Sequence, residues 1–337
     1  GQFILSVFGG YHGVTIGTLG LTTKGGMWAT HYPVLPAHTG IERFPYAYCY
    51  RCSFGKEPQS CGMHCVHYVR ELFRGKETPY AEASSKVSNV AAIILEPMQA
   101  SAGYIIPPDA FLRGLREICD DHGMLLIVDE IQAGMCRSGR WWGFQHAGVV
   151  PDIVAVGKSI ANGLPISGTV ARKEILEAWG PGAHVSTFAG YPLVCAAANM
   201  TLDTLVAERM EERAAKSGAY FLDGLRDLAN RHPIVGEIAA KGLFIGLEFV
   251  RDRTTKEPAV EESAFMLNEC VKEGILFEKG GYLYNRFQLI APLVIGKAEI
   301  DRVLEVFDRV FGEAEQRFGI GPASGPLWVN TGETTLE

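Results

Sequence analysis

Short runs rich in β-branched residues alternate with longer amphipathic stretches through the first half of the chain. This alternation is typical of βαβ units, so it predicts an α/β fold with a mainly parallel central sheet flanked by helices. The predicted strands are 3–8, 90–95, 125–129, 153–157 and 166–171. A helix is predicted over 108–122, with proline near its start and Gly123 as its C-terminal stop.

The pattern changes after Pro192, where residues 192–231 form one long helical stretch. Beyond it we predict strands over 235–239 and 243–250, short strands near Ile275 and Phe287, and helices over 261–272 and 297–318. This α+β pattern predicts a smaller C-terminal domain. We expect a large domain over 1–205, a small domain over 206–318, and a loosely held tail over 319–337 that is rich in Gly, Pro, Thr and Ser.

Composition and charge exclude several classes of protein. The 337 residues are 47% apolar and 20% charged, which is ordinary for a globular chain. Basic residues are scattered and the net charge is −7, so no nucleic-acid surface is predicted. The longest apolar runs are strand-length, so no membrane span is predicted. No signal peptide is evident and four of the eight cysteines are spread along the chain, which predicts reduced thiols and a cytoplasmic location.

A carboxylate and a lysine follow two neighbouring predicted strands. Asp129 ends one strand and Lys158 comes just after the next, so both are expected at the carboxyl edge of the sheet. A buried lysine or aspartate costs free energy unless it serves a partner. Pyridoxal phosphate needs such a pair, because the amine forms a Schiff base and the carboxylate keeps the pyridine nitrogen protonated. The alternative is a structural ion pair or two solvated strand ends.

Six motifs, which follow one another along the chain, extend the argument beyond Asp129 and Lys158. They are Tyr11-His12-Gly13, 94–99 (ILEPMQ), 127–134 (IVDEIQAG), Pro151-Asp152-Ile153 with Lys158, 162–165 (NGLP) and 186–190 (STFAG). Together they resemble the class III aminotransferases, pyridoxal phosphate enzymes of fold type I that include the ornithine and 4-aminobutyrate aminotransferases. The resemblance runs from about Phe3 to Phe318 and identifies the large domain as the cofactor-binding one.

The resemblance implies a role for each matching residue in the large domain. Lys158 would bond to the cofactor and then move the proton. Asp129 would pair with the pyridinium nitrogen, and Gln132 would bond the phenolic oxygen of the ring. Tyr11 would stack on the ring face, with His12 beside it.

The resemblance also implies a homodimer with shared active sites. Thr187 would reach the phosphate of the cofactor held by the neighbouring subunit. Taken singly, Thr187 is a turn hydroxyl and Tyr11 a core aromatic. Only the joint pattern supports their binding roles.

The sequence departs from the family in three places. Family members carry a further stretch before the equivalent of Phe3, including a turn that holds the phosphate, so this sequence is expected to be part of a longer chain. Gln288 stands where the family has its substrate-carboxylate arginine, and it lacks the charge and the fork of a guanidinium. Arg286, two residues away on the same strand face, is a candidate replacement or a surface residue. Ser101 replaces a glutamate of the ornithine and 4-aminobutyrate enzymes.

Four cysteines fall within seventeen residues, at Cys49, Cys52, Cys61 and Cys65. Their spacing is compatible with a tetrahedral zinc site of four thiolates. An enzyme of this kind needs no metal, however, so we predict none. Reduced thiols or a disulfide are the alternatives to zinc.

The leading hypothesis is an aminotransferase that moves an amino group between an amine or amino acid and a 2-oxo acid. A racemase, epimerase or ammonia-lyase on the same scaffold is the alternative, since these reactions use the same lysine without a second substrate. The third hypothesis is a truncated, non-catalytic relative. The intact Asp129, Gln132, Lys158 and Thr187 oppose it.

Overall fold

The computed structural model describes residues 1–23, 40–74 and 89–336 and contains two sheets. The strands of the first sheet are β1 (Phe3–Val7), β2 (Ile41–Phe44), β3 (Val90–Leu95), β4 (Leu125–Asp129), β5 (Ile153–Val156) and β6 (Gly168–Ala171). Their spatial order is β2-β1-β3-β4-β5-β6, and all neighbours are parallel except β5 and β6. The predicted α/β fold with a mainly parallel sheet is confirmed.

Helix packing buries one face of this sheet. The short helices α1 (Ile16–Leu19) and α2 (His64–Glu71) precede α3 (Asp109–His122), and α4 (Lys173–Glu177) follows β6. Helix α3 packs Phe111, Leu115 and Ile118 into the core shared with β3 and β4. Gly123 ends α3 with φ of +63°, a left-handed conformation that glycine adopts without strain, as the sequence predicts.

The long helical region is two helices, α5 (Pro192–Ala207) and α6 (Met210–Arg231), separated at Arg209 with φ of +48°. After them, α7 (Val260–Lys272) and α8 (Lys297–Phe318) cover the second sheet and form a separate hydrophobic core with it. The boundary near residue 205 stays a prediction. Among the described residues, no helix combines the length and the apolar character needed to cross a bilayer.

The second sheet holds seven strands. They are β7 (Val235–Lys241), β8 (Phe244–Asp252), β9 (Glu257–Pro258), β10 (Glu278–Gly280), β11 (Arg286–Leu289), β12 (Trp328–Asn330) and β13 (Thr334–Leu336). Strand β8 is central, pairing antiparallel with both β7 and β11. The short strand predicted near Ile275 is displaced and begins at Glu278 instead.

The tail is not loosely held throughout. Strand β12 pairs in parallel with β7, and Trp328, Val329 and Asn330 are all buried. The Asn330 side-chain amide also donates to the carbonyl of Ile106 at 2.8 Å. The prediction from composition is therefore wrong for β12, because an available edge of β7 supplies hydrogen-bond partners that local sequence does not reveal.

Candidate active site

Asp129 and Lys158 leave the sheet at the same edge. Asp129 is the last residue of β4 and pairs in parallel register with Ala155 of β5. Lys158 follows β5 after Gly157 and begins a short 3-10 turn, Lys158–Ala161. Since both strands point the same way, their carboxyl ends bring the carboxylate and the amine to one edge, as the sequence predicts.

The Asp129 carboxylate is buried and firmly held. One oxygen lies 2.9 Å from Nδ1 of His12, whose side chain is only 2% exposed. The other oxygen accepts the backbone N–H of Ile131 at 3.0 Å. Nδ1 must carry the proton in this pair, because an ionised carboxylate can only accept. The sequence placed His12 beside the ring face; the structure gives it a hydrogen bond to Asp129 as well.

Lys158 is exposed, so the expectation of a buried lysine is wrong. Its φ of +46° is left-handed, a conformation that costs a non-glycine residue on the order of 1–3 kcal/mol and that clusters at functional sites. The amine donates to Oε1 of Gln132. It opens onto a surface cleft lined by Lys158, Ser159 and residues 162–166. Because Lys158 lies on an exposed loop, its amine is open to solvent in the single chain.

Gln132 connects Lys158 to a residue that sequence reasoning missed. Its amide Nε2 donates to the hydroxyl of Tyr104 at 2.9 Å. Tyr104 is 3% exposed and its ring stacks on Phe244 of β8. Burial raises the pKa of Tyr104 to about 12, so its hydroxyl stays protonated at physiological pH. From the sequence, an aromatic residue after Gly103 is expected only to pack in the core. No local pattern predicts its hydrogen bond with Gln132.

Glu96 holds the segment that carries Tyr11. Its buried carboxylate accepts the backbone N–H of Tyr11 at 3.0 Å and that of Ala100 at 2.8 Å. Burial, with a smaller contribution from the nearby Asp129 charge, raises the pKa of Glu96 to about 7 against the lowering effect of His12 and the two N–H groups. Tyr11 itself is half-buried, and its stacking role stays a prediction.

Arg286 is neither a surface residue nor free to bind substrate. It is 1% exposed, and its guanidinium lies 2.5 Å from Glu237 and 2.6 Å from Glu248. It also donates to the carbonyl of Gly103 at 2.6 Å and to the hydroxyl of Tyr48 at 2.8 Å. The substrate-anchor hypothesis for Arg286 is therefore wrong, because two carboxylates already use its charge.

Gln288 is also 1% exposed. Both ends of its amide are satisfied when the nitrogen donates to Glu278 at 3.2 Å and the oxygen accepts the N–H of Gly103 at 3.3 Å. The polar atoms of Gln288 thus bond the protein in this arrangement, and its substrate role stays a prediction. Ser101 is half-buried on the adjoining turn, and its substrate role stays a prediction.

Thr187 has no hydrogen bond to this cluster among the described residues. Every residue from 181 to 190 is exposed, so the Thr187 hydroxyl faces solvent in the single chain. The sequence assigned Thr187 to the cofactor of a neighbouring subunit, and that role stays a prediction.

The four clustered cysteines line one cavity between α2 and the turn at Cys49–Arg51. Burial and the neighbouring thiols raise the pKa of Cys49 to about 12, and burial raises that of Cys65 to about 11. All eight cysteines are free. Across 1–23, 40–74 and 89–336, no group of three or more His, Cys, Asp or Glu side chains is arranged to hold a metal ion.

The residues at the sheet edge fit the needs of pyridoxal phosphate. An amine on an accessible cleft can reach an aldehyde, and a buried carboxylate can face a ring cation. His12 Nε2 is buried without a hydrogen-bond partner among the described residues, so the hydrogen bonding of this cluster is incomplete. A cluster with an unpaired buried polar atom fits a site that binds another molecule better than it fits a structural ion pair whose groups are all paired.

Known proteins match the chain along most of its length. The family model for class III aminotransferases matches residues 2–311. A leucine/methionine racemase of Thermococcus litoralis is 34% identical over 315 residues, 93% of this chain and 68% of the racemase. A diaminobutyrate–2-oxoglutarate aminotransferase of Rhizobium meliloti is 37% identical over 306 residues, 89% of this chain and 63% of that enzyme.

The solved structures agree with this match. An amine transaminase from an uncultivated Pseudomonas species, in its form with pyridoxal phosphate bound, superposes with a TM-score of 0.81 at 32% identity. The superposition covers 93% of this chain and 70% of that one. The chain thus spans roughly two thirds of the length of the proteins it matches.

Proposed function

Because this chain belongs to the class III aminotransferase family, whose members depend on pyridoxal phosphate, we propose that it is an aminotransferase that moves an amino group between an amine or amino acid and a 2-oxo acid. One observation carries the proposal: Lys158, Gln132, Asp129 and His12 meet at the carboxyl ends of β4 and β5. The oligomer, the location and the residue roles below are part of the same proposal.

Each residue has a distinct task in this scheme. Pyridoxal phosphate supplies an aldehyde and an electron-accepting ring when bound. Lys158 provides the amine that attaches the cofactor and then carries the proton at Nζ. Asp129 keeps the ring nitrogen protonated, and His12 and the Ile131 N–H hold its carboxylate in one orientation. Gln132 orients the Lys158 amine and presents its amide to the ring oxygen.

A racemase, epimerase or ammonia-lyase is the second candidate. The racemase of Thermococcus litoralis is as similar to this chain as several aminotransferases are. Position 288 also carries a glutamine whose amide bonds the protein. It therefore offers no guanidinium to grip an α-carboxylate in both half-reactions. Product formed without any 2-oxo acid would favour this candidate.

A homodimer would cover an apolar surface that the single chain exposes. Helix α5 is apolar on most sides yet buries only Val194, Ala198 and Leu205. Met200 on this helix is 66% exposed, and Trp179 and Phe188 before it are similarly open. A monomer rarely leaves so many large apolar side chains in water. Thr187 lies within this surface, so a second copy seated there would bring its hydroxyl toward the partner's site.

The dimer has its own test. The chain should sediment as a dimer, and Met200→Glu, which places a charge on the apolar surface, should give monomers. A wild-type chain that sediments as a monomer at every concentration would contradict this part of the proposal.

Eight free cysteines also support a cytoplasmic, reducing location.

The decisive experiment compares Lys158→Ala with Lys173→Ala, a control at an exposed helix lysine. Each protein is incubated with pyridoxal phosphate and with a panel of amines, with and without pyruvate or 2-oxoglutarate. Lys158→Ala should lose at least about a thousandfold in rate and the visible absorbance of lysine-bound cofactor, because in the proposed function Lys158 supplies both the attaching amine and the group that carries the proton. The control should match wild type. Wild-type rates in Lys158→Ala would refute the proposal.

A further inference from the structure

Gln132 is held at both ends, by two partners of very different character. Its carbonyl accepts from Lys158, and its amide nitrogen donates to Tyr104 at 2.9 Å. The lysine amine has three donors and no acceptor, so the carbonyl must face it, and the nitrogen must then face the tyrosine hydroxyl. The amide orientation is therefore set by this pair of neighbours.

Only one of these two partners is fixed. Lys158 is exposed, and in the proposed function its amine bonds to the cofactor and is released again. Gln132 therefore cannot depend on Lys158 throughout the reaction. The hydroxyl of Tyr104 is the partner that stays in place when the amine is engaged elsewhere.

Tyr104 is immobilised by the second sheet. Its ring stacks on Phe244, the first residue of β8, with centroids 4.1 Å apart and planes 15° from parallel. Its backbone N–H donates to Ala100 at 3.0 Å, and its φ is +57°. A side chain at Gly246 of β8 would have its Cβ 2.9 Å from Cβ of Tyr104, so the tyrosine lies directly against the strand.

Resting on the function proposed above, we infer that Tyr104 is a positioning residue that anchors Gln132 to the second sheet and keeps one amide N–H directed at the ring oxygen of the cofactor. The amide has two N–H groups. One is used by Tyr104, which leaves the other for the cofactor. Among the described residues no hydrogen bond joins Tyr104 to the Lys158 amine or to Asp129, and it acts through Gln132.

The test compares Tyr104→Phe with Tyr50→Phe. Both remove one buried phenolic hydroxyl and keep the ring, but the Tyr50 hydroxyl has no hydrogen-bond partner among the described residues. Titration of the apoprotein with pyridoxal phosphate measures the dissociation constant. Tyr104→Phe should weaken binding about fivefold to tenfold, the effect of one neutral hydrogen bond. It should also shift the pH at which the visible absorbance of the loaded protein changes, and Tyr50→Phe should do neither.

A double-mutant cycle separates positioning from general destabilisation. If Tyr104 acts through Gln132, adding Tyr104→Phe to Gln132→Ala should cost no further affinity, whereas independent effects would multiply. Multiplying effects, or a Tyr104→Phe protein identical to wild type in affinity and in absorbance, would overturn the inference and leave the proposed function standing. A wild-type protein that takes up no pyridoxal phosphate would instead refute the proposed function, and the inference with it.

Discussion

Lys158 and Arg286 are two cations next to strand ends, and the structure uses them in opposite ways. Arg286 is 1% exposed and shares its charge between Glu237 and Glu248, with further bonds to Gly103 and Tyr48. Lys158 is exposed, lies in a left-handed conformation, and has Gln132 as its one hydrogen-bond partner among the described residues.

This difference distinguishes a cation that stabilises the fold from a cation that is available to react. A buried cation whose donors are all satisfied links the parts of the fold, because removing it would leave two carboxylates uncompensated. A cation with unused donors on an open cleft can still react. Arg286 therefore joins β7, β8 and β11 to the turn at Gly103, while Lys158 remains available to a bound molecule.

The largest expected effect tests the structural side. Arg286→Ala should lower the free energy of unfolding by about 3–5 kcal/mol, because Glu237 and Glu248 would stay buried without a counter-charge. Arg286→Lys should lie between this variant and wild type, since it keeps the charge and loses the fork. Urea denaturation measures all three.

Arg302→Ala is the control for that series, because Arg302 is half exposed and pairs with the surface glutamates Glu273 and Glu305. It should change stability by less than about 0.5 kcal/mol. An Arg286→Ala protein of normal stability with a raised KM for acidic substrates would restore the substrate-anchor hypothesis.

The next effect tests the chemical side, at Asp129. Asp129→Asn keeps the shape but removes the charge that, in the proposed function, holds the ring nitrogen protonated. We expect cofactor to bind and the turnover rate to fall by about a hundredfold or more, equivalent to about 2.7 kcal/mol. Steady-state kinetics and cofactor content measure the two quantities.

The adjacent Glu130 is the matched control for Asp129. Its carboxylate accepts the backbone N–H groups of Gly143 and Phe144 at 2.9 and 2.8 Å, which is a structural task. Glu130→Gln should lower stability while the rate per folded, loaded molecule stays close to wild type. Similar rate losses in the two variants would remove the distinction between these neighbouring acids.

The smallest effect concerns pH and the Glu96 carboxyl. Its folded-state pKa of about 7 lies above the ordinary value of 4.5, so the folded protein binds a proton that the unfolded chain has released. This contribution to stability is complete below about pH 4.5 and is lost as pH rises through 7. Between pH 5 and pH 8 it should amount to on the order of 2 kcal/mol.

Glu96→Gln cannot ionise, so it should remove that part of the pH dependence. Urea midpoints at pH 5 and pH 8 measure it in wild type and in the variant. Burial raises the pKa of Glu130 to about 7 as well, so some slope of the same sign should remain. A slope in Glu96→Gln as steep as in wild type would show that Glu96 does not titrate in this range.

The sequence by itself determined the local elements and the order of the chemistry-bearing motifs. Strands β3 and β4 begin and end at the predicted residues, because runs of apolar residues bounded by polar or turn residues carry that information locally. Asp129 and Lys158 were placed at one sheet edge for the same reason. The family model and the solved structures confirm the resemblance that six motifs indicated.

Only the tertiary structure decided which partners these residues have. The contacts of Arg286 with Glu237, of His12 with Asp129, and of Gln132 with Tyr104 join residues 28 to 117 positions apart. Arg286 and Gln288 share a strand face in sequence, but the packing of β11 against the turn at Gly103 turned both inward. Strand β12 formed because β7 offered an edge. Contacts of this kind depend on register and packing between distant segments, which no local pattern encodes.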